Sequence, residues 1–414
     1  MSISPQVAGA RPLDSGFVRY LSARLISIGG AAATTIVVPI LVFQTTGSAA
    51  LTGITGGIGG ISYFVFGIPI GHLVDRWPRG RVLIGCSAAR SLVLLAVPVL
   101  TFVSLFRIQY LIVVLVLTNV LFVATDAANA GALRAVAGAK GMQKANAIVA
   151  GTAAIVQMGA PLAAGAALAI TNPQSIFLVE SIALLLSAGV LWTIRHRLDS
   201  PRTGAALPSR TWAAALSGFA FIWRDMPVRT TTAASLVFAV LEGIVIGQLV
   251  ILLAYTYGHA QSSSLLGWTY TGIAAGSLIG SWLLVRLPFP RHPAFLSSLA
   301  LFVSAVLLVS AVSTVSPLIF ISLIGLWAVP YMVVFVGATA LRQTRADPDL
   351  QGRVAVAGRL LTMGTGVPIG SVLGGLVSEA SGVHATYVTA ACIAVAASAA
   401  LAFAARSARS QRHP

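Results

Sequence analysis

Long apolar segments alternate with short polar segments along the whole chain. Twelve of these segments have about the 20 residues that a helix needs to cross the hydrocarbon core of a membrane. We place them at 18–43, 49–73, 82–104, 108–127, 143–170, 174–194, 228–255, 264–286, 293–312, 316–341, 353–378 and 383–405. The pattern predicts an all-α polytopic membrane protein with twelve transmembrane helices.

Composition excludes a soluble globular protein. Of 414 residues, 57% are hydrophobic and 9% are charged, with a mean hydropathy of +0.92. A net charge of +16 could indicate nucleic-acid binding in a soluble protein. Here 25 of the 26 lysines and arginines, Arg90 among them, fall at one predicted end of the helices, and Arg107 alone falls at the other. This asymmetry predicts cytoplasmic termini and no nucleic-acid partner.

The chain also repeats itself. The tripeptide Ala132–Arg134 recurs as Ala340–Arg342, 208 positions later, at the end of an equivalent helix. Pro161 and Pro368, each among glycines, are 207 positions apart. Near-equal offsets predict two pseudo-symmetric halves of six helices each, as many transporters are built. We set the halves at 17–194 and 228–405.

A polar linker, 195–227, joins these two halves. It begins with a basic stretch and then carries Trp212, Leu216, Phe219 and Trp223 along one helical stripe. Aromatic residues at both ends of such a stripe suit an amphipathic helix that lies among cytoplasmic lipid headgroups. The linker is too short to hold a soluble domain.

The loop after the second predicted helix carries an unusual charge pattern. Gly71 is followed by one acid, Asp75, and by Arg76, Arg79 and Arg81. The pattern G-x-L-x-D-R-x-x-R-x-R resembles the signature loop of the major facilitator superfamily. Within it, the chain resembles the twelve-helix bacterial drug and siderophore exporters, the drug:proton antiporters. The alternative is a positively charged loop that only fixes topology.

The resemblance implies that this loop is a conformational switch that locks the two halves in one state. Asp75 would then face the amino-terminal end of the eleventh helix, whose dipole favours an anion. Asp126, at the end of the fourth predicted helix, would pair with Arg76 or Arg79.

One acid lies deep within a predicted span. Glu242 is about 14 residues into the seventh helix, which is near the bilayer midplane at ~1.5 Å per residue. A charge there costs about 2.5–3.5 kcal/mol, so a function is the default interpretation. The resemblance implies that the first and seventh helices lie along a central cavity. We therefore expect Glu242 to carry a coupled proton there, opposite Thr34 at the 208-residue offset. The alternative is a protonated structural acid that hydrogen-bonds a neighbouring helix.

A second acid, Glu180, lies nearer the outer face in the sixth predicted helix. We expect its carboxyl to reach outer water, and the alternative is a second titrating site.

The fifth predicted helix contains Gly159, Pro161 and Gly165. This stretch resembles the glycine–proline motif of drug:proton antiporters, with Ala160 and Ala164 where glycines are usual. Small residues permit close packing against the eighth helix, and the proline bends the helix. A generic interface of small residues would explain the stretch almost as well.

These features predict a proton-coupled exporter of small amphipathic molecules, such as antibiotics or siderophores, that works by alternating access. We expect a monomer in the bacterial inner membrane, with protons and a small-molecule substrate as its partners. We expect no enzymatic activity, no cofactor and no metal. The sequence has no G-x-x-x-x-G-K loop, which argues against ATP-driven transport, and its histidines lack the spacing of metal ligands. The alternatives are a dedicated exporter of one endogenous metabolite and a receptor or scaffold that transports nothing.

Overall fold

The computed structural model describes residues 14–74, 76–168, 170–199, 212–286, 293–347 and 350–410. Within these ranges the chain is helical apart from short connections, and no residue there lies in a strand. The all-α fold is therefore confirmed. The predicted domain boundaries at 17–194, 195–227 and 228–405 remain predictions.

Six long helices form the first half. They are α1 (Ser15–Thr46), α2 (Ala49–Val74), α3 (Arg79–Phe102), α4 (Ile108–Gly138), α5 (Lys144–Ala167) and α6 (Pro173–Thr193). The second half follows a 13-residue helix, α7 (Trp212–Arg224). Its long helices are α8 (Met226–Tyr257), α9 (His259–Arg286), α10 (Pro293–Val312), α11 (Pro317–Arg345), α12 (Gln351–Ser381) and α13 (Val383–Ser410).

Eleven helices of the described ranges are long and apolar enough to cross a membrane. The long helix outside that set is α9, which has 28 residues but many glycine, serine, threonine and tyrosine positions. Its length matches that of its neighbours, and its small residues lie against α5 and α11. The part of the chain that the structure describes thus has the fold of a multi-pass membrane protein with twelve long helices.

The fourth helix is longer than predicted. We expected it to end at 127, but α4 continues to Gly138, where the backbone adopts a φ of +68°. Residues 127–138 are rich in alanine, which has the strongest helix propensity. A glycine tolerates the left-handed conformation that ends the helix. Hydrophobicity alone does not detect a helix that continues beyond the apolar core of the membrane.

In α12, the α-helical hydrogen bonding is interrupted by a π segment, Leu360–Gly366. Pro368 follows it by two residues and has no N–H to donate to the preceding turn. The π segment accommodates this missing hydrogen bond. Such π segments are often found at functional sites.

The two halves repeat one helix crossing in detail. In the first half, the Ser91 and Ser181 hydroxyls each donate to the backbone carbonyl of the other residue, at 2.8 and 2.9 Å, and join α3 to α6. In the second half, Ser298 and Ser398 make the same reciprocal bonds at 2.8 and 2.7 Å between α10 and α13. This shared arrangement is direct structural support for the pseudo-symmetry.

Each half has its own hydrophobic core. One cluster, which includes Phe238 and Trp327, lies almost wholly within the second half. Two further clusters, around Phe17 and Phe177, lie within the first half. The halves are thus packed as separate bundles, and the space between them can hold a cavity.

Helix α7 packs against the start of α12. Ile222 of α7 is buried with Val354 and Ala357, and Phe219 is partly buried beside them. Leu216 and Trp223 are 64% and 72% exposed. Part of the predicted apolar stripe therefore packs on protein, while Leu216 and Trp223 remain available to a lipid surface.

The bundle has two distinct ends. We call the end that holds Arg76 and Arg79, where α1 begins, the basic end. At the opposite end, α1 turns into α2 at Gly47 and α12 turns into α13 at Gly382. Both glycines have a positive φ, which few other residues adopt without strain.

Candidate functional site

A cavity of about 350 Å³ lies between the two halves. Helices α1, α2, α3, α4 and α6 line it on one side, and α8, α9 and α12 line it on the other. Its wall is mostly apolar, with hydroxyl groups and a few ionisable side chains. The structure brings Glu242 and Thr34 to the wall of this one cavity, from α8 and α1 respectively.

The Glu242 carboxyl is held by an aromatic residue of the same half. Its Oε2 accepts a hydrogen bond of 2.9 Å from the hydroxyl of Tyr331 in α11. The Tyr331 ring stacks between those of Trp327 and Phe335, whose centroids lie 5.9 and 5.8 Å from its own. The Phe238 ring packs edge-on against it, at a centroid distance of 6.0 Å. The phenol can donate to a charged or a neutral carboxyl, so this contact persists through a protonation cycle.

An ion pair that sequence reasoning did not find lies in the first half of the same cavity. Arg90 of α3 contacts Glu180 of α6 at 3.3 Å, with 6% and 3% of the side chains exposed. Both line the cavity, and the Arg90 guanidinium lies 5.4 Å from the centre of the Phe122 ring.

This pair corrects two expectations. Arg90 does not lie at the basic end, and Glu180 does not reach outer water, because each is buried against the other. The sequence did contain a signal for this pair, because one base and one acid each lie inside an apolar run. Charges buried in such runs need partners.

Gly30 provides the space for this pair. A Cβ on Gly30 would lie 3.0 Å from Cγ of Glu180. At the 208-residue offset, the equivalent position is Phe238, which is fully buried. The two halves thus present different polar groups: Glu242 from the second, and Arg90 with Glu180 from the first.

The switch loop is only partly described. Asp75 lies outside the described residues. Gly71 is buried at the end of α2, and Arg76 contacts the His72 ring at 2.9 Å. The predicted role of Asp75 toward α12 therefore stays a prediction.

Arg79 and Arg81 differ in their surroundings. The Arg79 guanidinium lies against Gly131 of α4, in the space that a side chain at 131 would fill. Arg81 is exposed at the first turn of α3. Arg79 thus connects the loop to α4 within the first half.

Asp126 has a different partner from the one we expected. Its carboxylate accepts a hydrogen bond of 3.3 Å from Arg359 of α12, and one of 3.4 Å from the Tyr63 hydroxyl. Arg79 is directed to Gly131 instead, and Arg76 to His72. The prediction of an Arg76 or Arg79 partner was wrong, because Arg359 approaches Asp126 from the other half.

The small-residue stretch of α5 meets α9. A Cβ on Gly267 of α9 would lie 3.1 Å from the Pro161 carbonyl and 3.4 Å from Cα of Gly165. The Thr271 hydroxyl also donates to the Met158 carbonyl at 3.2 Å. Gly159 has open space where its side chain would be. Pro161 and Gly165 therefore lie in the contact between halves, and Gly159 does not.

At the opposite end, an acid of the second half caps a helix of the first. Glu379 of α12 accepts hydrogen bonds from the Ala50 backbone N–H at 2.8 Å and from the Ser48 hydroxyl at 3.0 Å. These groups form the amino-terminal end of α2, where a carboxylate is favoured by the helix dipole. The two halves are thus joined by polar contacts at both ends of the cavity.

Comparison with known proteins agrees with this architecture. Residues 20–362 match the family model described as Major Facilitator Superfamily. The multidrug efflux pump Tap of Mycolicibacterium fortuitum is 24% identical over 380 residues, which are 89% of this chain and 90% of the pump.

Solved structures show the same fold. A bacterial homologue of the human lysosomal transporter Spinster, in an inward-facing and unoccupied conformation, matches with a TM-score of 0.75 at 14% identity. The match covers 94% of this chain and 96% of that one. The nucleoside transporter NupG matches with a TM-score of 0.67 at 12% identity, over 94% of this chain and 98% of that one.

Proposed function

Because the chain belongs to the Major Facilitator Superfamily, and is therefore a membrane transporter and not an enzyme, we propose that it exports small amphipathic molecules in exchange for protons. Antibiotics and siderophores are of this class. The observation that carries the proposal is the position of Glu242, a carboxyl in the wall of a mostly apolar cavity, between two bundles that meet at both ends. The efflux activity of the Mycolicibacterium relative supports the direction of transport.

Alternating access gives Glu242 its role. A proton that enters from one side neutralises the carboxyl, and the substrate is released on that side. The protein can then reorient the cavity toward the other side. A cationic amphiphile and a proton then compete for the same carboxyl, which couples their opposite movements. The mostly apolar wall of the cavity suits an amphiphile better than a sugar with its many hydroxyls.

We propose that the basic end faces the cytoplasm of a bacterial inner membrane, and that the protein works as a monomer. The distribution of lysine and arginine supports this orientation. Protons would then enter from the opposite end and substrate would leave there. Under this proposal, Glu379 and the start of α2 close the outer exit.

The test uses full-length protein in proteoliposomes with tetraphenylphosphonium as substrate. The membrane potential is held at zero with valinomycin and potassium, so that only a pH difference can drive transport. We expect accumulation of the cation in vesicles with an acidic lumen, and none when the pH is equal on both sides. Accumulation that does not depend on the pH difference would contradict proton coupling, and absence of transport would favour a scaffold or a dedicated metabolite exporter.

A further inference from the structure

The Arg90–Glu180 ion pair is not needed to hold α3 against α6. In the second half, α10 and α13 cross through the same pair of reciprocal serine bonds. The residues next to those serines, in the places of Arg90 and Glu180, are Ser297 and Ala397. The equivalent crossing therefore forms without an ion pair.

Burial of this pair is also costly. Taking two charges out of water costs several kcal/mol per ion, and apolar residues of similar size are often as stable or more so. The first half additionally gives up a large side chain, since Gly30 stands where the second half has Phe238. A costly pair that the fold does not require, in the wall of the cavity, indicates a role in binding.

The Arg90 guanidinium has more N–H donors than the described residues around it satisfy. A guanidinium carries five N–H donors, and among the described residues its side chain bonds only to Glu180, through Nη2. Its Nε is buried without a partner in the described part of the chain, and only 6% of the side chain is exposed. Unsatisfied donors of a buried cation are expensive, which favours a ligand that supplies an acceptor.

We propose that Arg90, held in place by Glu180, is a second substrate-binding group, and that it selects amphiphilic cations that also carry a neutral hydrogen-bond acceptor such as an amide carbonyl. This inference rests on the proposed function. The cation lies toward Glu242 and the acceptor toward Arg90. A carboxylate in the acceptor position is disfavoured, because Glu180 already neutralises Arg90 and a second anion would face two acids in one cavity.

The test compares two cations on the purified, full-length protein. Procainamide has a tertiary amine and an amide carbonyl, whereas tetraphenylphosphonium has a charge and no acceptor. The variant Arg90→Met with Glu180→Met removes both charges together and leaves no unpaired ion. We expect about tenfold weaker binding of procainamide, from loss of a hydrogen bond to a charged group, and binding of tetraphenylphosphonium within about twofold of the parent.

A second, more conservative variant still tests the proposal if the double methionine variant misfolds. Arg90→Lys keeps the positive charge and a partner for Glu180, but it replaces the planar fork by one ammonium group. It should show a smaller loss for procainamide and none for tetraphenylphosphonium. Arg107→Lys, an exposed residue at the opposite end, is the matched control and should change neither.

The outcomes separate the two proposals. If a variant with parental melting temperature weakens both cations equally, or neither, the role of Arg90 in selection is wrong while the exporter proposal stands. If the parent itself binds neither cation, the proposed substrate class fails, and the selection by Arg90 fails with it.

Discussion

Asp126 and Arg359 form an ion pair of 3.3 Å between the two halves at the basic end. Asp126 belongs to α4 of the first half and Arg359 to α12 of the second. Tyr63 of α2 completes the contact, since its hydroxyl donates to Asp126 and its ring centre lies 5.0 Å from the guanidinium. The cluster therefore spans the boundary that would open and close under the proposed alternating access.

Loss of this pair should change the rate of transport more than the affinity. The side chains of Arg359 and Asp126 are 55% and 22% exposed, so the pair contributes about 0.2–1 kcal/mol at most after solvent screening. That energy shifts a conformational equilibrium by up to about fivefold. We expect Asp126→Asn and Arg359→Gln each to change turnover by a few-fold, and the double variant to change it no further.

An ion pair that does not join the two halves provides the control. Asp14, just before the first half, and Arg197, at the start of the linker, lie 2.7 Å apart at the basic end, with 42% and 56% of their side chains exposed. Asp14→Asn should leave turnover unchanged. Additive effects of Asp126→Asn and Arg359→Gln would show that the two residues act independently.

Glu379 should keep the opposite end closed. Its bonds to Ala50 and Ser48 are favoured by the α2 dipole. We expect Glu379→Ala to speed labelling of Thr55→Cys, in the cavity wall, with an impermeant maleimide added at that end. An unchanged rate in a background without Cys86 and Cys392 would show that this contact does not control access.

Close packing of α2 on α12 should require glycine at position 53. A Cβ there would overlap the Ser371 carbonyl and lie 2.9 Å from Cα of Gly375. We expect Gly53→Ala to reduce stability by about 1–3 kcal/mol, the usual cost of overpacking, and to lower the melting temperature in detergent. Gly85→Ala is the matched control, because nothing lies within 4 Å of its Cβ position. Equal melting temperatures for the two variants would contradict this packing.

The proposed orientation predicts which cysteines react from outside the cell. His196, at the basic end, and Ser313, at the opposite end, are both exposed. In a background without Cys86 and Cys392, an impermeant reagent should label Ser313→Cys in intact cells and should label His196→Cys only after lysis. Strong labelling of position 196 in intact cells would reverse the orientation.

The helices could be predicted from the sequence because the length of each apolar run shows whether a helix there is long enough to cross a membrane. The exceptions were segments whose helicity does not depend on the membrane. Residues 127–138 continue α4 through alanine propensity, and the apolar stretch before Pro368 contains a π segment that depends on local hydrogen bonding. Neither property changes the apolar pattern.

The partners of the charged residues could not be predicted in this way. Glu242 was identified because its depth follows from its position in one helix. Glu180 meets Arg90 across 90 positions of sequence, and Asp126 meets Arg359 across 233. Such pairs depend on which helix faces are in contact, whereas a count of charges assigned Arg90 to the cytoplasmic end of the third predicted helix.

The proposed proton-coupling role of Glu242 requires that its carboxyl gain and lose a proton. Glu242→Gln keeps the shape of the side chain and an acceptor for Tyr331, but it cannot gain or lose a proton. Gln lacks the charged carboxylate that the cation would contact, so we expect weaker binding of tetraphenylphosphonium. At saturating tetraphenylphosphonium the variant should still exchange the cation across the membrane, because exchange needs no net movement of protons. Tyr331→Phe, which removes only the donor, should retain part of the coupling.

The most direct measurement is accumulation of tetraphenylphosphonium by Glu242→Gln proteoliposomes under an imposed pH difference, with the membrane potential held at zero. We predict exchange at saturating tetraphenylphosphonium and no accumulation above equilibrium. Uphill accumulation equal to that of the parent would contradict this prediction and make Glu242 a structural acid.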